Sequence, residues 1–181
     1  MELIIVVAIM AVLVAVITPF FMNKIEKARE AYDITTMRQA AEAATELLYS
    51  GIDGKEAAEK AGMHWWPYNN DDTSARSNAA GAYDPTTGEF CETRQKLPKN
   101  VKRYGKGTAQ DGKTTLIMGN PAGAYKSDED YTNAVIMVAI YPNANPSYAM
   151  VYWKNNVGNS NYVGGEEGNN VPKYSIKITL E

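Results

Sequence analysis

Glu2-Leu3-Ile4-Ile5-Val6-Val7-Ala8-Ile9-Met10-Ala11-Val12-Leu13-Val14-Ala15-Val16-Ile17 sets one carboxylate directly against fifteen uninterrupted apolar residues. Thr18 and Pro19 interrupt the run, Phe20, Phe21 and Met22 extend it, and charge begins at Lys24. About 20 residues at 1.5 Å each cross a hydrocarbon core, so the stretch is long enough to span one. Twelve of the fifteen are Leu, Ile, Val or Met. At roughly -0.4 kcal/mol each, insertion gains on the order of 5 kcal/mol, against about 3 for a carboxylate at the bilayer centre. Glu2 lies at the edge, where the penalty is smaller, so membrane insertion is expected. An acid in that position is expensive and calls for a partner.

A cleavable secretory signal fits badly, because no basic region precedes the run and no small-residue cleavage site follows it. A buried helix of a soluble protein fits badly too, since nothing in the run offers solvent a polar face. Lys24, Lys27 and Arg29 follow the segment while nothing basic precedes it. A basic leader removed from the N-terminus would repair that asymmetry, and a processed chain is expected.

From Lys24 to Ser50 there is neither Gly nor Pro, and good helix formers dominate. Ile25, Ala28, Tyr32, Met37, Ala41, Ala44 and Leu48 recur at spacings of mostly three or four, predicting one packed face. Charges fill the other face, where Glu26 with Arg29, Arg29 with Asp33, and Arg38 with Glu42 are expected as surface pairs. Ser50-Gly51 supplies the stop. One helix over Leu3 to Ser50 would be roughly 70 Å long, kinked where Pro19 removes a donor and crowds the Ala15 carbonyl.

These residues bring the chain to a known family. Met1 to Met10, with Glu2 and with Pro19 seventeen residues after it, resembles the mature N-terminus of type IV pilins and the related pseudopilins of type II secretion. In that family a leader is cut off and the new first residue, usually an N-methylated Phe, lies four positions before the glutamate. Glu2 matches that glutamate, Pro19 matches the helix-kinking proline, and the alignment expects three mature residues before Met1. A leader ending in Gly before Phe-Thr-Leu would fit this, whereas Met1 as an initiator would not. Ala11 stands where many members carry a helix-loosening glycine, so local melting of the helix is less expected here. One cysteine cannot close the C-terminal disulfide loop of many Gram-negative members, which leans toward a Gram-positive source.

The resemblance implies a fold and a function, both held as expectations. The fold is α+β, with the long kinked helix packed on a C-terminal antiparallel sheet of about four strands. The function is that of a major pilin, a structural subunit and not an enzyme. Stored in the membrane as a single-pass protein, it would assemble into an extracellular filament serving adhesion, motility or aggregation. Its filament core would bury Leu3, Val6, Val7, Met10, Leu13, Val14 and Ile17, with Glu2 pairing to a neighbour's terminal amine. Implied partners are other copies of the chain, the membrane, and the assembly machinery: prepilin peptidase, inner-membrane platform and assembly ATPase. Two alternatives stay open. One is a pseudopilin of a secretion or DNA-uptake machine; the other is a membrane-anchored extracytoplasmic domain that never polymerises.

Three parts are expected: residues 1–23 as membrane and filament-core half-helix, 24–50 as amphipathic half, and 51–181 as head. Ile52 to Ala61 reads as a short helix, with Asp53 and Glu56 spaced as a capping box and Gly62 as the stop. Residues 63–112 read as irregular, dense in turn formers such as Asn69-Asn70-Asp71-Asp72 and Asp84-Pro85. Thr114 to Met118, Ala134 to Tyr141, Tyr148 to Lys154 and Tyr174 to Leu180 read as strands, the middle two joined by the Pro142 to Pro146 turn. A Gly- and Asn-rich loop, read as exposed, fills Asn155 to Asn170.

Other motifs carry less. Gly107 to Thr114 matches the phosphate-loop pattern, but a strand rather than a helix is expected to follow it, which removes the helix amides such a site needs. Asp128-Glu129-Asp130 lacks the alternating ligands and central Gly of an EF-hand and reads as an exposed acidic turn rather than a calcium site. His64, the single histidine, sits beside Trp65 and Trp66, where packing of a loop on the sheet is expected. Cys91 lies among Glu89, Phe90 and Glu92, an acidic setting that does not favour a thiolate. No metal or cofactor is expected. The mean hydropathy of -0.36, despite the apolar start, makes the head distinctly polar. A net charge of -3 has the wrong sign for phosphate neutralisation, so nucleic acid is not expected as a primary ligand.

Overall fold

Helix α1 runs unbroken over Glu2–Ser50, through Pro19. The Thr18 hydroxyl donates to the Val14 carbonyl at 2.6 Å, one turn from the point where Pro19 has no N–H to give. Gly51 ends the helix in the left-handed conformation, φ 80°, which lacks a steric cost only for glycine. This computed structural model describes residues 2–98, 115–116, 123–126, 129–131, 133–155, 162–168 and 170–180.

The buried stripe of α1 differs from the one its apolar spacing predicts. Met37, Ala41, Ala44 and Leu48 are buried as expected, with Ile34 and Ala40, but Ile25, Ala28 and Tyr32 are exposed. Glu26, Glu30 and Asp33, assigned to solvent, take the inner positions instead. The reason is geometric. Positions 26, 30, 33, 37, 40–41, 44 and 48 follow one another in steps of three and four, so the face that docks at Met37 continues through the three acids. Arg29 reaches Glu26 at 3.4 Å, as expected for that pair.

Helix α2 spans Lys55–Lys60, shorter than expected. Gly54 caps it in extended backbone with no side-chain hydrogen bond, so the Asp53–Glu56 capping box does not form. Gly62, at φ 75°, supplies the stop, and the carbonyl of Phe90 lies where its Cβ would be.

Strands β1 (His64–Trp66), β2 (Asn78–Asp84) and β3 (Glu89–Cys91) occupy the stretch expected to be irregular. Short strands β4 (Thr115–Leu116) and β5 (Tyr125–Lys126) form a separate two-stranded pair, so the expected first strand does not join the main sheet. The main sheet is completed by β6 (Ala134–Tyr141), β7 (Tyr148–Asn155) and β8 (Ser175–Thr179), close to their predicted spans. It has six antiparallel strands among the described residues, in the order β1-β2-β6-β7-β8, with β3 sharing the β1 edge of β2. Strand β2, Asn-Ala-Ala-Gly-Ala-Tyr-Asp, has little strand propensity and no large alternating residues. Pairing on both sides holds it in place, which its own sequence does not announce.

The core lies between α1 and one face of this sheet. Ile136, Val138 and Ile140 of β6, Ala149, Val151 and Trp153 of β7, and Ile176 of β8 meet the helix. Ala40 and Ala44 are wholly buried there, and their small side chains let the helix axis approach the sheet closely. The fold is α+β: a long N-terminal helix packed against an antiparallel sheet.

Candidate functional site

Every residue from Glu2 to Ile25 is exposed, on all sides of the helix. Leu3 is 78% exposed and Val14 63%, and Val6, Val7, Met10, Leu13 and Ile17 are all open. These positions recur in steps of three and four, so they form one stripe. Glu2 occupies the first turn, where a carboxylate complements the positive end of the helix. Lys24 closes the apolar segment, its ammonium 5.4 Å from the Phe20 ring centroid. Folded monomers in water rarely expose contiguous apolar surface beyond a few hundred Å². This half-helix is uncovered, and it is long and apolar enough to serve as a membrane anchor.

Below it the helix changes character within two turns. The Tyr125 hydroxyl donates to Asp33 at 3.4 Å, and its ring stacks on Tyr131 with centroids 4.3 Å apart and planes within 7°. Tyr131 in turn meets Trp153 edge-on at 5.5 Å. Burial, then the Asp33 carboxylate, push the Tyr125 phenol far above its ordinary range. Burial does the same to Tyr131. Asp33 therefore sits against a protonated phenol. No sequence periodicity marks this seat, because Tyr125 and Asp33 are 92 residues apart.

The remaining singled-out residues fall in structural roles. His64 Nδ1 lies 3.1 Å from Glu92, and the His64 ring meets Trp66 edge-on at 4.4 Å. Trp65 is buried and donates to Asp72 at 2.6 Å, while Asp71 accepts from Thr73 in an exposed turn. Rather than packing a loop on the sheet, as expected, His64 and its tryptophans form β1, a strand of the sheet itself. Burial, then Asp84 and Glu89, raise the Cys91 thiol, so the thiolate is disfavoured as its neighbours suggested. Glu129 accepts from the Tyr174 hydroxyl at 3.5 Å; Asp128 lies outside the described residues. Among the described residues no group of three His, Cys, Asp or Glu side chains could hold a metal ion. The phosphate-loop pattern at 107–114 falls wholly outside them. In the expected exposed loop, Val163 is buried.

Compared with protein-family models, with curated proteins and with solved structures, the chain gives no match.

Proposed function

We propose that this chain is the subunit of an extracellular helical filament of the type IV pilin kind, held in the membrane before assembly. The observation that carries the reading is the wholly exposed apolar half-helix, Leu3 to Met22, joined to a folded head. Lipid covers it first, and copies of the same segment replace lipid in the filament core. The stripe through Leu3, Val6, Val7, Met10, Leu13, Val14 and Ile17 packs against its neighbours. Fully burying each such side chain is worth about 1.5–3 kcal/mol relative to water. Relative to lipid the gain is smaller, so packing and polar pairing must choose the register. Glu2 supplies the polar term by meeting a neighbour's terminal amine, neutralising both charges in an apolar core. Head-to-tail contacts that do not close yield an open fibre. Adhesion, surface motility and aggregation are the roles such a fibre serves.

Glu2→Ala in the native host tests this. Removing one partner of a buried pair costs about 3–5 kcal/mol, so fibres identified by electron microscopy of sheared surface material should vanish. The membrane pool and the melting temperature of the head should be unchanged. Normal fibres from the variant would remove Glu2 from its role. A chain that stays a lone lipid-bound monomer in wild-type cells would favour the non-polymerising anchored domain.

A further inference from the structure

The sheet face turned away from α1 carries a trough of about 870 Å³. Its floor holds Ala80, Ala139 and Met150, the middle of a register row that runs from His64 on β1 to Lys177 on β8. Two alanines at the centre of that row make the depression. On one side stand Tyr141 and Tyr148, paired in register and stacked at 4.6 Å. On the other stands Tyr152, with Tyr162 edge-on at 5.2 Å. Tyr148 and Tyr152 are four residues apart on β7, so about 13 Å separates the two walls.

The charges of the lining are segregated. Arg76, Arg94 and Lys154 face the trough with one acid, Glu92. Glu92 already serves His64 and Lys96, so its charge is answered. Three cations therefore gather on a chain whose net charge is -3. Burial lowers the Arg94 and Lys154 pKa values, and Arg94 repels Lys154 further, with Glu166 offsetting part of that effect at Lys154. An anion placed between them would relieve both effects.

The rings decide what kind of anion fits. Tyr141 and Tyr148 cover one another, Lys177 lies 4.2 Å over Tyr148, and Lys154 lies 5.0 Å over Tyr162. Successive bases of a single strand need a series of open ring faces, and these are occupied. Trp66 stays 57% exposed although the His64 ring meets it edge-on, leaving part of the indole as a platform, and Asn78, Gln95 and Asn170 add hydrogen-bonding groups. One apolar platform, neutral polar side chains and clustered cations suit a hydroxylated ring bearing carboxylates. We infer that this trough binds an acidic oligosaccharide, with a pyranose ring on Trp66 and carboxylates at Arg94 and Lys154.

The inference is independent of the filament reading, because a detergent-solubilised monomer tests it. The full chain in neutral detergent micelles is titrated with tetragalacturonate and a hyaluronan tetrasaccharide, followed by calorimetry and tryptophan fluorescence. At least one should bind saturably, more weakly as salt rises, while maltotetraose does not bind. Trp66→Ala and Arg94→Gln should each weaken binding about tenfold with unchanged circular dichroism. Arg94 also bonds the Asn155 carbonyl, so Arg76→Gln, at an exposed position, repeats the test should Arg94→Gln disturb the fold. No saturable binding of either acidic probe, equal binding of maltotetraose, or tighter binding of an oligo-dT strand would overturn the assignment. So would acidic binding that the variants leave unchanged.

Discussion

The Tyr125 hydroxyl donates to the Asp33 carboxylate at 3.4 Å, fastening the segment before β6 to the middle of α1. That contact joins the head to the helix about two turns below Ile25, where the wholly exposed segment ends. Its length puts it at the weak end of hydrogen bonds, although the acceptor is a carboxylate. Tyr125→Phe keeps the ring stacked on Tyr131 and removes only the hydroxyl. The head should lose about 1 kcal/mol of stability, read as a lowered urea midpoint with unchanged slope. An unchanged midpoint would mean that the hydroxyl adds nothing to the stacked ring.

Alkaline pH should destabilise the head through the same tyrosines and those of the outer sheet face. Burial is the first cause of the raised phenols of Tyr125, Tyr131 and Tyr152, and it pushes Tyr141 up to about 12. The unfolded chain loses these protons near pH 10 while the native state keeps them, so the native state binds more protons above that pH. Stability is then fully present below about pH 10 and falls as pH rises through the folded values, by up to about 1.4 kcal/mol per pH unit for each tyrosine. Urea midpoints measured from about pH 8 to about pH 11 should stay level and then drop, by more than one tyrosine accounts for. A level profile throughout would show that the phenols reach water without unfolding.

Much of this architecture was legible in the chain, for reasons that differ by element. The long helix was readable because its signal is local: an unbroken apolar run, then strong helix formers with no Gly or Pro until Gly51. Strands β6 and β7 were readable because Val, Ile and Tyr crowd into two short runs around a proline-bounded turn. Strand β2 was not, since Ala and Gly acquire strand geometry only from the partners on either side. The inner face of α1 was misassigned above Met37 for a related reason. Hydrophobicity marks a packed face only where the partner is apolar, whereas Asp33 meets the Tyr125 hydroxyl and Glu26 and Glu30 continue the same buried face. The apolar stripe from Leu3 to Ile17 stood out at once, because lone-chain folding leaves it uncovered.

That correction has its own consequence for two alanines. Ala28, which the spacing assigns to the packed face, is exposed, whereas Ala40 is wholly buried against the sheet. Ala40→Leu adds volume where none is free and should cost about 1–3 kcal/mol, or lift the helix from β6 and β7. Ala28→Leu should change stability by less than about 0.5 kcal/mol, since a surface leucine keeps helix propensity. Thermal melts of the two variants decide between the observed stripe and the one expected from hydrophobicity. Equal losses would restore Ala28 to the interface.

The head should not need its apolar half-helix in order to fold. None of residues 2–25 is buried, so their removal deletes no core contact. A chain beginning at Asn23 would also start its helix well: Asn is a favoured cap, and Glu26 stands three residues on, in capping-box spacing. Glu26 and Glu30 would then lie in the first turns, where the helix dipole favours acids. The truncated chain should purify without detergent as a monomer, with a urea midpoint within about 0.5 kcal/mol of the full chain's in detergent. It should form no fibres and should not co-sediment with liposomes, because the segment that lipid or neighbouring copies would cover is gone. If the truncated head instead unfolds, the apolar half contributes to folding through contacts that its exposure does not reveal. The division of labour between an inserting rod and a self-sufficient head would then be wrong.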